Sequence, residues 1–109
     1  MNLKYEMEIG GKKYRIGIWR AGRIIKWGAK RERFVVVIRH GNRVARFYTY
    51  GDGGTKAREL LLGVLGDLLF AGYLGTGKIA EKLAEKAREV GLGVGELTVA
   101  IGGLLDGAR

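Results

Sequence analysis

The chain contains no cysteine, which excludes disulfides and thiolate metal sites at once. Serine is missing too, and His40 is the single histidine, beside a hairpin turn where a solvated role is expected. The nucleophile–base pairs of ordinary hydrolases therefore cannot be assembled. Proline and glutamine are absent, and only Asn2 and Asn42 carry side-chain amides. Abundant charge with few thermolabile residues is the bias of hyperthermophile proteins. Carboxylates near the basic half are few: Asp52, Glu59 and Asp67. Glu59 and Asp67 share one helical stripe but lie about 12 Å apart along its axis, too far for one metal. Asp52 in "YGDGG" suits turn chemistry, Asp and Gly being favoured there. "GTGK" (75–78) lacks the spacing and the preceding strand of a phosphate-cradling loop. The expectation is a protein that is not an enzyme and takes no cofactor and no metal.

Long hydrophobic runs are also scarce. "LLLGVLGDLLFAGYLG" (60–75) is too short for a membrane span and carries Asp67. The amino terminus alternates polar and apolar residues from Leu3, unlike a signal peptide. A soluble, cytoplasmic chain with no membrane partner is expected.

What is present is bounded by size and charge. At 109 residues the chain is expected to form one domain, 1–109, with a single modest core. Hydrophobic residues make up 47%, enough for a globular fold rather than a disordered one. The net charge of +9 is unevenly placed: residues 1–50 hold 13 Lys/Arg against 3 Asp/Glu, and residues 51–109 hold 7 against 8. Such asymmetry points to a polyanionic partner, and solubility at high temperature is its plain alternative.

The hydrophobic period divides the chain at the same place. "LKYEMEIG" alternates strictly, as a half-buried strand does. Gly10-Gly11 supplies a two-residue turn, which pairs Met7 with Tyr14 and Tyr5 with Ile16. The same register sets Glu8 against Lys13 and Glu6 against Arg15, so apolar and opposite-charge pairs agree. A second turn is expected at Ala21-Gly22, making "RIIKW" a third strand with Ile18 beside Ile25 inside and Trp19 beside Ile24 outside. "GAKRE" (28–32) then links to a last hairpin hinged on Gly41-Asn42. From "GDGGT" (51–55) onward the period becomes helical. A first helix, apolar nearly all round, is expected from about Lys56 to Ala71 with Thr55 as its N-cap. Thr76 would cap a second, with Ile79, Leu83, Ala87 and Val90 on one side and Gly91 at its end. A third, short helix holds Leu97, Ala100, Ile101, Leu104 and Leu105. The expected fold is α+β. A five-stranded antiparallel meander over about 2–50 carries two or three helices, within 55–106, on one face.

Parity then decides what the other face carries. The Gly41-Asn42 loop pairs His40 with Arg43, Val37 with Arg46 and Val35 with Tyr48. Phe34, Val36, Ile38, Ala45 and Phe47 fall on the core side. Arg33, Arg39, Arg46, Tyr48 and Tyr50 fall on the other, and the preceding strands add Lys13, Arg15, Trp19 and Lys26. Cations displace counterions from phosphates, and aromatic rings offer flat faces to unstacked bases. These nine residues are the candidate nucleic-acid-binding site, for DNA or RNA. Val35, Val37, Val44 and Ile24 interrupt the basic field, and exposed apolar surface also serves protein partners. The alternative is therefore a protein-interaction or self-assembling module, for example a homodimer through the apolar first helix or the sheet face.

"LAEKAREVGLGVGELTVAIG" (83–102) resembles the helix-turn-helix of DNA-binding regulators. Ala87 stands at its small position, Gly91 at the turn and Leu97 inside the second helix. The resemblance covers about a fifth of the chain and implies DNA binding through the second helix. That helix, however, holds Gly95, Glu96, Thr98, Val99 and Gly102, with no Arg, Lys, Gln or Asn to reach base edges. "LLGVLGD" (61–67) is similar to the helix of LAGLIDADG homing endonucleases, which implies a metal-binding role for Asp67. It departs in that "LLFAG" follows the acid in place of a glycine and a strand.

Overall fold

A computed structural model describes residues 2–52, 54–73 and 75–106. The described elements run β1 (Asn2–Ile9), β2 (Lys12–Lys26), β3 (Ala29–His40), β4 (Arg43–Gly51), α1 (Ala57–Tyr73), α2 (Lys78–Glu89) and α3 (Val94–Asp106). The strands form one antiparallel sheet in the order β1-β2-β3-β4. The fold is α+β with four described strands, one fewer than the sequence pattern predicts.

The difference lies at Ala21-Gly22, which bulges instead of turning. Arg20 pairs with Phe34 and Arg23 with Glu32, so β2 spends two residues where β3 spends only Arg33. "RIIKW" therefore continues β2, and Ala29–Glu32 of the expected linker belong to β3. The chain reverses at Trp27-Gly28, with φ of 53° and 72°. A tight hairpin of this kind needs positive φ at both central residues. Gly22 has it, at 111°, but Ala21 does not. Ile25 consequently pairs with Lys30 rather than facing Ile18, and it is 75% exposed where Ile18 is buried.

The other two hairpins follow the expected registers. Gly10 and Gly11 turn with φ of 58° and 79°, setting Met7 opposite Tyr14 and Glu6 opposite Arg15. Gly41 turns at 60°, setting Val37 opposite Arg46 and Val35 opposite Tyr48.

The core lies between one sheet face and the helices. Tyr14, Ile16, Ile18, Phe34, Val36, Ile38, Ala45 and Phe47 meet Leu61, Val64, Leu65 and Leu68 of α1, with Ala87 of α2 and Leu97 of α3. Each large apolar side chain buried this way stabilises by about 1.5–3 kcal/mol. Most of the apolar α1 is buried against the sheet, α2 and α3, while Phe70 and Tyr73 near its end stay exposed. Ala87 of α2 and Val90 just past its end are buried, but Ile79 is 67% exposed.

Helix ends differ from the expected capping. Thr55 closes a turn on Asp52, its Oγ1 accepting from the Asp52 amide, while the Glu59 carboxylate accepts from the Lys56 amide at the start of α1. Gly53, part of the expected break, lies outside the described residues. Thr76 does not cap α2; Gly77 does, without a side-chain bond. Gly91, at φ 74°, ends α2 as expected. Its amide donates to the Arg88 carbonyl and that of Leu92 to Ala87, the paired closure that a left-handed residue permits.

Candidate nucleic-acid interface

Strand pairing puts all nine candidate residues on the sheet face opposite the helices. Reading across the sheet, one row is Glu6, Arg15, Arg39 and Val44. The next is Lys4, Gly17, Val37 and Arg46, followed by Asn2, Trp19, Val35 and Tyr48, then Arg33 with Tyr50. Lys13 lies opposite Glu8, and Lys26 opposite Ala29. Lys26 reaches this face because the bulge reverses parity: odd residues of β2 point outward before it and even ones after it. Lys13, Arg15, Arg39, Arg46 and Tyr48 are exposed, while Trp19, Lys26, Arg33 and Tyr50 are half-buried.

The field is strongly positive at close range. Arg15 and Arg39 are direct cross-strand neighbours, an arrangement that repels. Glu6 relieves it in part, 3.4 Å from the Arg15 Nε. The aromatic rings form a strip interleaved with cations. Arg33 stacks 4.8 Å from the centre of Tyr48, and the Lys26 ammonium lies 4.1 Å over Tyr50. Tyr50 meets Trp27 edge-on at 5.6 Å, and Arg31 lies 5.4 Å from the same indole. Arg31 also bonds Asp52 at 3.3 Å. Trp19 has a different setting, its indole lying over Gly17, where any Cβ would fall within 2.3 Å of the ring. Glycine is what lets that ring lie flat on the sheet.

Trp27 and Arg31 belong to this strip although the sequence pattern singles out neither. Their signal is the Trp27-Gly28 turn, which a tryptophan at positive φ conceals. Past Trp19 and Glu32 the β2–β3 hairpin has no flanking strand among the described residues and continues as a two-stranded arm. Glu32 holds its base: the carboxylate is buried, 2.7 Å from the Arg20 Nε and 3.6 Å from that of Arg23.

Beside the strip, an open cleft of about 1090 Å³ separates β4 from α1 and α2. Phe47, Val64 and Leu83 contribute apolar lining, and Arg46 of β4 and Lys82 and Lys86 of α2 line it too, the Lys86 ammonium lying 3.8 Å from the Glu89 carboxylate. Among the described residues Asp67 is the one carboxylate in the lining, and desolvation raises its pKa above the ordinary 3.8.

The remaining polar groups have structural work. His40 is not simply solvated as expected: it stacks on Tyr14 at 4.5 Å, and its Nδ1 lies 3.3 Å from the Val90 carbonyl. The Tyr14 hydroxyl donates to the Gly91 carbonyl at 3.3 Å. Burial, then the Glu96 carboxylate, raises its pKa, with Arg43 opposing. Among the described residues no group of three or more His, Cys, Asp or Glu could hold a metal, and Asp67 stands without a second carboxylate in the cleft. No single described helix is long and apolar enough to cross a membrane. In the segment resembling a helix-turn-helix, Ala87 and Leu97 are core residues, and α3 exposes Gly95, Thr98 and Val99 but no cation. No protein-family model, curated protein or solved structure matches the chain.

Proposed function

We propose that this protein binds nucleic acid without catalysing its turnover, through the sheet face that the helices leave uncovered. The observation that carries the reading is the shared face: Arg33, Arg39 and Arg46 for phosphates, flanked by Lys13, Arg15 and Lys26, with Trp19, Tyr48 and Tyr50 for bases. Opposed arginines in a field of net charge +9 favour a polyanion that relieves their repulsion. α3 contributes no cation, so the reading draws on the sheet and not on a recognition helix.

The test is Arg39→Ala combined with Arg46→Ala, titrated against labelled oligonucleotides over a salt series. Losing two phosphate contacts should flatten the slope of log K against log salt by about 1.4 for a single strand and about 1.8 for a duplex. An unchanged affinity and slope would remove the sheet from consideration.

A second reading, self-assembly, is favoured by a different surface. Phe70, Tyr73 and Ile79 are 61%, 71% and 67% exposed around the α1–α2 junction, the kind of apolar surface a second copy covers. Light scattering separates the readings: a monomer that retards oligonucleotides supports the first, and a stable oligomer without salt-sensitive heparin retention supports the second.

A further inference from the structure

Resting on the nucleic-acid reading, we infer that Trp27 and the cleft behind it form a site for unpaired bases, so that the ligand class is single-stranded nucleic acid. Two independent observations carry this. The first is the residue at the arm tip. Trp27 is the one described non-glycine residue with positive φ, at 53°, where Asn, Asp or Gly is the easy choice. It is nevertheless a tryptophan, 66% exposed, with Tyr50 against its edge and Lys26 and Arg31 within 5.4 Å. Its contacts with Tyr50, Lys26 and Arg31 all lie at the surface, and the turn itself would be served better by asparagine or glycine. Strain held at an exposed position is accounted for by a ligand that the side chain meets.

The second observation is the cleft, which Trp27, Lys26, Tyr48 and Tyr50 border on one side. Lys82 and Lys86 stand on the other, with apolar walls between. An apolar concavity with a few convergent polar groups is the usual form of a small-ligand site. Here its cations suit a phosphodiester backbone and its aromatic border suits base faces. A duplex keeps those faces stacked inside and presents only its edges. A single strand can lay a base on Trp27 and pass the next between β4 and α2.

The experiment compares wild type, Trp27→Asn, Trp27→Phe and Lys82→Ala/Lys86→Ala by fluorescence anisotropy. The probes are a labelled oligothymidine, a labelled duplex and anionic phosphatidylserine vesicles. Trp27→Asn should melt no lower than wild type, because asparagine tolerates that backbone. It should lose about 5- to 150-fold in single-strand affinity with an unchanged salt slope and unchanged duplex binding, and Trp27→Phe should recover most of the loss. The lysine pair should lower both single-strand affinity and its salt slope. The inference is overturned if Trp27→Asn binds oligothymidine like wild type, loses both probes equally, or melts lower. It is also overturned if wild type prefers the duplex, or if vesicles bind in a Trp27-dependent way while oligonucleotides do not. If neither nucleic acid shows salt-dependent binding to wild type, the sheet reading itself fails. If the sheet arginines matter and Trp27 does not, only the tip assignment falls.

Discussion

Replacing Gly17 with alanine isolates one contact on which the aromatic surface depends. An added Cβ would stand 2.3 Å from Cη2 of Trp19 and 2.8 and 2.9 Å from two further ring atoms. The obstruction is the far end of a side chain, so the indole must move while the strand keeps its register. Two effects on stability then oppose one another. Alanine restricts the unfolded chain and gains about 0.5–1 kcal/mol over glycine in a strand. Lifting the ring re-exposes apolar surface, and some 40 Å² at about 25 cal/mol per Å² costs roughly 1 kcal/mol. The net change should stay within about 1 kcal/mol, a melting shift of no more than about 5 °C. The ring itself should report a much larger change. In a Trp27→Phe background, where Trp19 is the only tryptophan left, Gly17→Ala should red-shift the emission and raise iodide quenching. Single-strand affinity should fall by about 3- to 10-fold, less than a full stacking loss, because the indole is tilted rather than removed. A folded Gly17→Ala protein with unchanged Trp19 emission and quenching would refute the reasoning.

Other outcomes follow from the ion pairs and the cleft. Arg20→Ala should destabilise more than Glu32→Gln, by urea denaturation, because it strands a buried carboxylate. Its cost should be about 1–3 kcal/mol, below that of a fully buried pair, since Arg23 remains 3.6 Å away and Arg20 is itself half exposed. The reverse order would mean that the carboxylate is better solvated than its position at the arm base indicates. Asp67→Asn should raise the melting temperature at pH 7. The folded carboxyl has a raised pKa and therefore holds its proton more tightly than the unfolded one. That contribution is complete below pH 3.8 and is lost as the pH rises through the folded value. The advantage of asparagine should accordingly vanish in acid. A gap between the two proteins that widens as the pH is lowered would contradict the assigned cause.

Local signals carried much of the fold. Period-two alternation with glycine at Gly10-Gly11 and at Gly41 sets two hairpin registers; in the first, inward apolar pairs and outward charge pairs agree on one alignment, and in the second the two-residue loop and the inward apolar pairs do. Face membership follows from those registers, so the uncovered side with Arg39, Arg46 and Tyr48 was legible without coordinates. The helical period after Thr55, and Gly91 as a left-handed stop, were legible for the same reason: each rule acts within one or two turns of chain. The misplaced turn shows where such rules end. A glycine after a small residue marks a bulge as readily as a hairpin, and the choice between Ala21-Gly22 and Trp27-Gly28 depends on how β3 pairs with β2. Helix starts were equally undecided, since Thr55 had Asp52 as a competing partner.

By itself, then, the sequence determined the basic, aromatic sheet face and the amphipathic layer that covers its back, because both depend on periodicity and side-chain chemistry. Only the tertiary structure decided that Ala21-Gly22 bulges within one long strand, that Trp27 turns at positive φ against Tyr50, and that Lys82 and Lys86 line a cleft together with Arg46. The first two depend on how β3 pairs with β2 and the third on how the helices pack beside β4, and no local pattern encodes either.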